Sequence, residues 1–443
     1  MTYDERLQHV SVLGAAGKMG SGILLLTAVE MADLSLKPEN KGKTFVLHAI
    51  DVSDEALAGV MKYLRSQVLK IAEKKVVALR DFYAGHQNLI ENGEIIEQYL
   101  FDVLSLVRTS TRIESAYGST LVFEAIREDP QLKVEIFSQI NTHNEKKPWF
   151  FTNTSSIPIS DLDTGAKLEG RILGFHFYNP PAIQKLVEVI KAEKTLPEVE
   201  AFGLLYAKNL RKVVAPSHDI AGFIGNGHFM RDILHAASEV SELSQTMTEA
   251  EAVFLVNKIS QEALIRPMGI FQLIDYVGVD VCSYILSVMD SFSKKEKLHS
   301  PLLDRFLQAG IKGGQFSDGS QKDGILKYEK GRPAAIFDLK LQKYIPVAEL
   351  SEKAEKFLGV MPAAPSWKSM VSNPDREPVF VEYFGLLKQT ESPGAKLALD
   401  YFRRSRDIGK QLVNEGVAYC EKDVNTVLRT GFFHAYGPIN DYV

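Results

Sequence analysis

The residue types best suited to chemistry stand in Gly174-Phe175-His176-Phe177-Tyr178-Asn179-Pro180-Pro181 and, twelve positions past His176, at Glu188 in the apolar run Leu186-Val187-Glu188-Val189-Ile190. An imidazole titrates near the working pH and is the usual acceptor for the proton of an alcohol. A carboxylate in the middle of a buried strand needs a partner, and a histidine on the neighbouring strand would be one. Paired, the acid orients the ring and favours the protonated form it takes after accepting a proton. Singly, His176 reads as a hydrogen-bonded core histidine and Glu188 as a strand-end salt bridge. Together they read as a base and its support.

A second group could supply the other half of such a reaction. Val12-Leu13-Gly14-Ala15-Ala16-Gly17-Lys18-Met19-Gly20 lies between a strand pattern and a helix pattern. Small residues there allow a tight turn and let backbone N–H groups approach a pyrophosphate at the positive end of a helix. The spacing G-x-x-G-x-x-G has one residue more than the usual G-x-G-x-x-G. Gly14, Gly17, Lys18, Met19 and Gly20 are therefore candidate dinucleotide contacts. Asp51 closes the second strand pattern, where a carboxylate can accept from ribose hydroxyls and would repel a 2′-phosphate, favouring NAD over NADP. It comes later than the usual ~20 residues because of the insertion ahead of that strand.

These residues need a scaffold, and the first half of the chain describes one. Short apolar β runs alternate with helical patterns, the mark of a parallel sheet with crossover helices. Strands are expected at His9–Leu13, 45–50, 121–125, Trp149–Thr152, Ile172–Phe177, 186–190 and 212–214. Helices are expected at 21–31, through the Lys-rich stretch 54–103, and from Pro130, a favoured first helical position. Ligands of open α/β sheets bind at the carboxyl edge of the strands, where His176 would stand. Past Pro216 strand signals nearly vanish and helical patterns dominate (227–286 and 395–428), with a Gly-, Ser- and Asp-rich loop at 310–324. The reading is an α/β Rossmann-type NAD-binding domain over 1–216 followed by an all-α domain.

Composition sets limits on this. A chain of 443 residues exceeds one ordinary core, so two or three domains are expected. The net charge of −5 argues against a nucleic-acid binder working through its whole surface. Cys282 and Cys420 are the only cysteines and lie far apart, which excludes a disulfide scaffold or thiolate zinc site and fits a reducing compartment. No apolar run approaches the ~20 residues a bilayer span requires, and no secretory leader is visible, so a cytoplasmic protein is expected.

In this setting the motifs resemble the L-3-hydroxyacyl-CoA dehydrogenase family. His176, Asn179, Pro180 and Glu188 look like its His-Phe-Phe-Asn-Pro…Lys-Leu-Val-Glu signature, and Asn153-Thr154-Ser155-Ser156 like its Asn-Thr-Ser-Ser element. Gly222-Phe223-Ile224-Gly225-Asn226 is similar to Gly-Phe-Ile-x-Asn. Glu124-Ala125-Ile126-Arg127-Glu128 with Lys133 resembles the strand beside the nicotinamide. Pro267-Met268-Gly269 and Asp275-x-x-Gly278-x-Asp280 resemble the helical domain. The elements occur in order over residues 10–328.

The resemblance implies NAD-dependent oxidation of an L-3-hydroxyacyl-CoA to the 3-ketoacyl-CoA, as in fatty acid β-oxidation. His176 would be the general base and Glu188 its partner. Ser155 and Asn226 would hydrogen-bond the 3-hydroxyl and the thioester carbonyl. Glu128, Lys133, Asn179 and Ser155 would contact the cofactor, with Lys322 reaching it from the helical domain. The coenzyme A would find positive charge on Lys62, Arg65, Lys70, Lys74, Lys75 and Arg80, a stretch that reads equally as a solvated helix face. Departures are the longer glycine loop, Ala221 in place of Pro, and Gly227 in place of Arg. Two other readings stay open: a 3-hydroxy acid or sugar-acid dehydrogenase without coenzyme A, and a non-catalytic NAD-binding partner of a β-oxidation complex.

Single members of the family end near the position of Tyr328. The remainder reads as a second, diverged helical copy, giving domains at 217–330 and 331–443. In relatives with one copy the helical domain dimerises, so a duplicated copy implies a monomer or weak dimer, with a hydratase or thiolase as possible partner.

Overall fold

The computed structural model describes residues 1–293, 295–316 and 319–443. The chain forms two compact units, Met1–Ile220 and Ala221–Val443.

The first unit is built on eight strands: β1 (His9–Leu13), β2 (Val46–Ile50), β3 (Val107–Ser110), β4 (Leu121–Glu124), β5 (Trp149–Thr152), β6 (Ile172–Phe177), β7 (Leu186–Lys191) and β8 (Val213–His218). They lie in the order β3-β2-β1-β4-β5-β6-β7-β8. Every neighbouring pair is parallel except β6 and β7. That exception has a physical cause. Only residues 178–185 separate the two strands, too few for a parallel crossover, which takes about a dozen residues or more. The chain therefore turns back, and His176 comes to lie opposite Glu188 in register.

The buried central strands are near-continuous apolar runs, as a sheet covered on both faces requires. β3 was not expected from the sequence: Val107-Arg108-Thr109-Ser110 is a four-residue edge strand with only Val107 buried. The helical stretch over 54–103 is two helices, Asp54–Phe82 and Asn92–Leu106. Glu91 and Glu94 close a capping box at the start of the second. The expected boundary at 216 falls inside β8, so the unit runs on to Ile220.

The second unit is mainly helical. Helices Phe223–Leu243, Glu249–Lys258, Ile270–Val277, Val279–Phe292 and Pro301–Gln308 come first. Val347–Leu358, Trp367–Ser372, Glu377–Gln389, Pro393–Asn414 and Glu421–Gly431 follow. Between the sets runs a feature that the all-α expectation lacked, an antiparallel sheet of β9 (Leu326–Glu329), β10 (Arg332–Asp338) and β11 (Lys343–Pro346). Its strands are short and partly polar, so their alternation is weak in the sequence. A division at 330 would cut the β9–β10 turn, and one core cluster runs from Phe229 to Ala435. The structure accordingly makes one unit where the sequence suggested two domains. Buried Asp275 fastens the chain entering β9, accepting from the Ile325 and Leu326 N–H groups at 2.7 and 2.8 Å. Among the described residues no single helix is long and apolar enough to cross a membrane.

Candidate functional site

In the first unit the chemistry-bearing residues gather where β1, β2, β4, β5 and β6 end, the edge at which open α/β sheets bind ligands. The glycine loop leaves β1 with Gly14 at φ +71°, in the left-handed region. A Cβ on Gly14 would lie 2.5 Å from the Ala125 carbonyl oxygen, and one on Gly20 only 1.9 Å from that of Gly14. Both positions admit glycine alone. The helix Lys18–Ser35 starts at Gly17 without a side-chain cap, and a helix N-terminus is a place where phosphates bind. Asp51 stands beside this loop: its carboxylate accepts from the Ala16 N–H at 2.9 Å and from the Val52 N–H at 2.8 Å. A cradle with no room for side chains, an uncapped helix start and a carboxylate at the end of β2 fit a dinucleotide.

Beside the loop, Lys133 is 1% exposed and its ammonium lies 2.6 Å from Glu124 and 3.2 Å from Glu128. Burial would lower the ammonium pKa, but Glu124 and Glu128 outweigh it and the net shift is upward. This corrects the expected cofactor contact: enclosed by two carboxylates, Lys133 offers a ligand almost no surface. Glu128 in turn holds the turn after β5. Its Oε1 accepts from Thr154 Oγ1 (2.6 Å), the Ser155 N–H (2.9 Å), the Ser156 N–H (3.2 Å) and Ser156 Oγ (3.0 Å). Burial would raise the Glu128 carboxyl; Lys133 and these donors hold it below the ordinary value. Glu128 thus sets the backbone that carries Ser155.

Glu124 was named from the sequence only as part of a family motif and given no role, although an acid in Leu121-Val122-Phe123-Glu124 is the same signal that drew notice to Glu188. It is wholly buried and accepts from Thr152 Oγ1 at 2.6 Å and the Ile126 N–H at 2.8 Å.

His176 and Glu188 meet as expected. Nδ1 lies 3.1 Å from Oε2, with the histidine side chain 11% exposed and the glutamate 0%. With Nδ1 directed at the acid, Nε2 is the ring nitrogen on the side away from it. The Tyr178 hydroxyl also donates to Glu188 Oε2, at 2.7 Å, a contact the sequence did not announce. Asn153 Oδ1 accepts from the Phe177 N–H at 2.8 Å, joining the ends of β5 and β6. Asn179 opens the loop after β6. Lys212 ties that loop down by donating to the Pro181 and Gln184 carbonyl oxygens at 2.5 and 2.6 Å. Burial pushes the Lys212 ammonium down to about 8.

Asn226 and Lys322 belong to the second unit. Asn226 sits in the first turn of Phe223–Leu243, behind Gly222 at φ +86°. Lys322 is exposed, and its backbone N–H donates to the Gly314 carbonyl at 3.0 Å. Residues 317 and 318 of the Gly-rich loop lie outside the described residues. Of the basic stretch, Lys75 pairs with Asp33 and Arg80 donates to Asn92, while Lys62, Arg65, Lys70 and Lys74 are exposed on Asp54–Phe82.

Residues 9–220 match the model of the NAD binding domain of 3-hydroxyacyl-CoA dehydrogenase, and residues 222–322 that of its C-terminal domain. Human mitochondrial hydroxyacyl-coenzyme A dehydrogenase is 30% identical over 319 residues, 71% of this chain and 91% of that one. A probable 3-hydroxybutyryl-CoA dehydrogenase of Bacillus subtilis is 29% identical over 314 residues, 71% of this chain and 96% of the other. The crystal structure of 3-hydroxybutyryl-CoA dehydrogenase from Escherichia coli K12 has a TM-score of 0.63 at 21% identity. It covers 98% of this chain and 90% of its own, so the likeness in fold extends past residue 322.

Proposed function

Because the chain belongs to the 3-hydroxyacyl-CoA dehydrogenase family and is an NAD-dependent oxidoreductase acting on a CH–OH group, we propose that it oxidises L-3-hydroxyacyl-CoA reversibly to the 3-ketoacyl-CoA, with His176 as general base supported by Glu188. The observation that carries this reading is the His176–Glu188 pair, in direct register at the sheet edge that also bears the glycine loop.

The backbone of Gly14, Gly17, Lys18, Met19 and Gly20 would hold the pyrophosphate of NAD, Asp51 the adenosine ribose, and Ser155 and Asn179 the nicotinamide half. NAD, when bound, supplies the hydride acceptor. His176 Nε2 takes the proton of the 3-hydroxyl. The imidazolium so formed is stabilised through Nδ1 by Glu188, whose burial strengthens the interaction. Ser155 polarises the oxygen as the ketone develops, placed by the hold of Glu128 on its backbone. Asn226 is assigned the thioester carbonyl on the family pattern.

A positioned base contributes roughly 10²–10⁴-fold. His176→Gln should therefore lower kcat for acetoacetyl-CoA reduction by about that factor, followed through NADH absorbance, while NAD affinity stays near wild type. Equal loss of NAD binding would make His176 structural. Turnover of free hydroxy acids with none of acetoacetyl-CoA would move the substrate outside the acyl-CoAs, and no turnover of either would leave a binding role.

Lys62, Arg65, Lys70 and Lys74 are proposed to face the coenzyme A phosphates, and β-oxidation is the proposed setting. The residues past 331 are proposed to be a diverged helical copy that covers a dimerisation surface within the chain. Gly227 supports this, since a Cβ there would lie 2.9 Å from Leu412 Cδ2 of Pro393–Asn414. Sedimentation should then report a monomer or weak dimer; an obligate dimer would contradict the proposal.

A further inference from the structure

Tyr178 is two residues beyond His176, so both side chains fall on one face of the extended chain, across from Glu188. The resembled pattern has Phe at this place, and a phenyl ring would fill the same space without a donor. Here the phenol O–H reaches Glu188 Oε2 at 2.7 Å, the oxygen that also takes His176 Nδ1 at 3.1 Å. The two rings lie 4.9 Å apart, inclined by 43°. Two donors thus converge on one buried carboxylate oxygen. We propose that Tyr178 is a positioning residue for the His176–Glu188 pair: its hydroxyl fixes the carboxylate in the plane the imidazole needs and takes up part of its charge, so that the imidazole stays unprotonated, and able to act as base, to lower pH. This inference rests on the reading of His176 as general base.

The phenol keeps its proton throughout the working range, because burial, reinforced by the charge of Glu188, raises its pKa well above the ordinary value. It is therefore a constant donor, and a short O–H to carboxylate bond is among the stronger neutral-to-charged hydrogen bonds. A carboxylate whose charge is partly satisfied by Tyr178 attracts an imidazolium less strongly than one facing His176 alone.

Charged groups on β7 and just before β8 have partners of their own. On β8 the register partner of Glu188 is Ala215. Lys191 at the end of β7 pairs with Glu200, and it is Lys191, not Glu188, that lies opposite His218 in register. The Lys212 ammonium is held by two carbonyl oxygens. Asn153, in the turn after β5, is neutral and accepts from the Phe177 N–H.

The test is the pH profile of kcat/KM for acetoacetyl-CoA with NADH, read on wild type, Tyr178→Phe and His176→Gln. For oxidation the unprotonated imidazole is the competent form, so the same set is run with 3-hydroxybutyryl-CoA and NAD, where the acid limb reports it. Tyr178→Phe should move that limb up by about half to one pH unit, with KM for NAD unchanged and the optimum rate reduced less than about tenfold. An acid limb that stays put in an otherwise folded Tyr178→Phe protein overturns the proposal while leaving His176 as base. Full activity in His176→Gln overturns the base reading and this inference with it. Should Tyr178→Phe fold poorly, 3-fluorotyrosine at 178 keeps the hydroxyl and makes it a better donor. The limb should then move down, and movement up or none at all refutes the role.

Discussion

Lys133→Met removes one ammonium from the interior and leaves a side chain of similar length. In the folded chain that ammonium is 2.6 Å from Glu124, itself 0% exposed, and 3.2 Å from Glu128, which is 22% exposed. Without Lys133, Glu124 keeps, among the described residues, the neutral donors Thr152 Oγ1 and the Ile126 N–H. It must then hold an uncompensated buried charge or take up a proton. Breaking a buried pair from one side costs about 3–5 kcal/mol. Glu128 loses the cation that helps hold its pKa below the ordinary value. A carboxyl so lowered contributes stability above its unfolded pKa of 4.5 and loses it as pH falls through the lower folded value, so the variant should show a weaker loss on acidification. Urea unfolding at pH 7, followed by Trp149 fluorescence in a Trp367→Phe background, reads the first unit alone, since the chain has two tryptophans. The double variant Lys133→Met/Glu124→Gln should regain a large part of the loss, because no buried charge is stranded. A loss under about 1 kcal/mol in the single variant, or no recovery in the double, would refute the reasoning.

Gly20→Ala places a methyl 1.9 Å from the Gly14 carbonyl oxygen, so NAD binding measured by calorimetry should be abolished and the first unit destabilised. Asp51→Ser should narrow the preference for NADH over NADPH in initial rates, with a loss of loop order because the Ala16 N–H loses its carboxylate acceptor. His228 is buried and its Nε2 meets the Ser405 carbonyl at 3.0 Å; burial pushes its pKa from 6.5 down to about 4, Asp232 opposing and Arg266 assisting. An unfolded chain binds that proton more readily, so the second unit should lose up to about 3 kcal/mol as pH falls from 6.5 to 4, and His228→Gln should flatten the curve in denaturant titrations. Lys212→Met frees the carbonyls of Pro181 and Gln184 and should raise hydrogen exchange in residues 181–185 with a smaller change at β6.

Much of the framework was legible from residue order alone. His9–Leu13, Trp149–Thr152 and Ile172–Phe177 were each placed with their observed ends, because strands buried on both faces must be apolar throughout and are punctuated by polar or turn residues. Gly14 and Gly20 were legible for a related reason: a backbone that must approach its neighbour within a few ångströms excludes side chains, and sequence records that exclusion directly. The pairing of His176 with Glu188 was legible as chemistry, since a charge in an apolar run has to be answered. Pattern fails where partners rather than faces decide. Lys133 was expected to contact the cofactor, and only the fold encloses it between Glu124 and Glu128. Tyr178 was given no role from the sequence, and only the antiparallel return of β7 brings Glu188 within reach of its hydroxyl. β3 and the β9–β11 sheet escaped notice because short strands with polar positions are held by neighbours supplied from elsewhere in the chain. Burial and periodicity are local demands that a sequence must meet at each residue. Which buried charge meets which donor is set by the packing of segments far apart, and that is decided only when the chain closes.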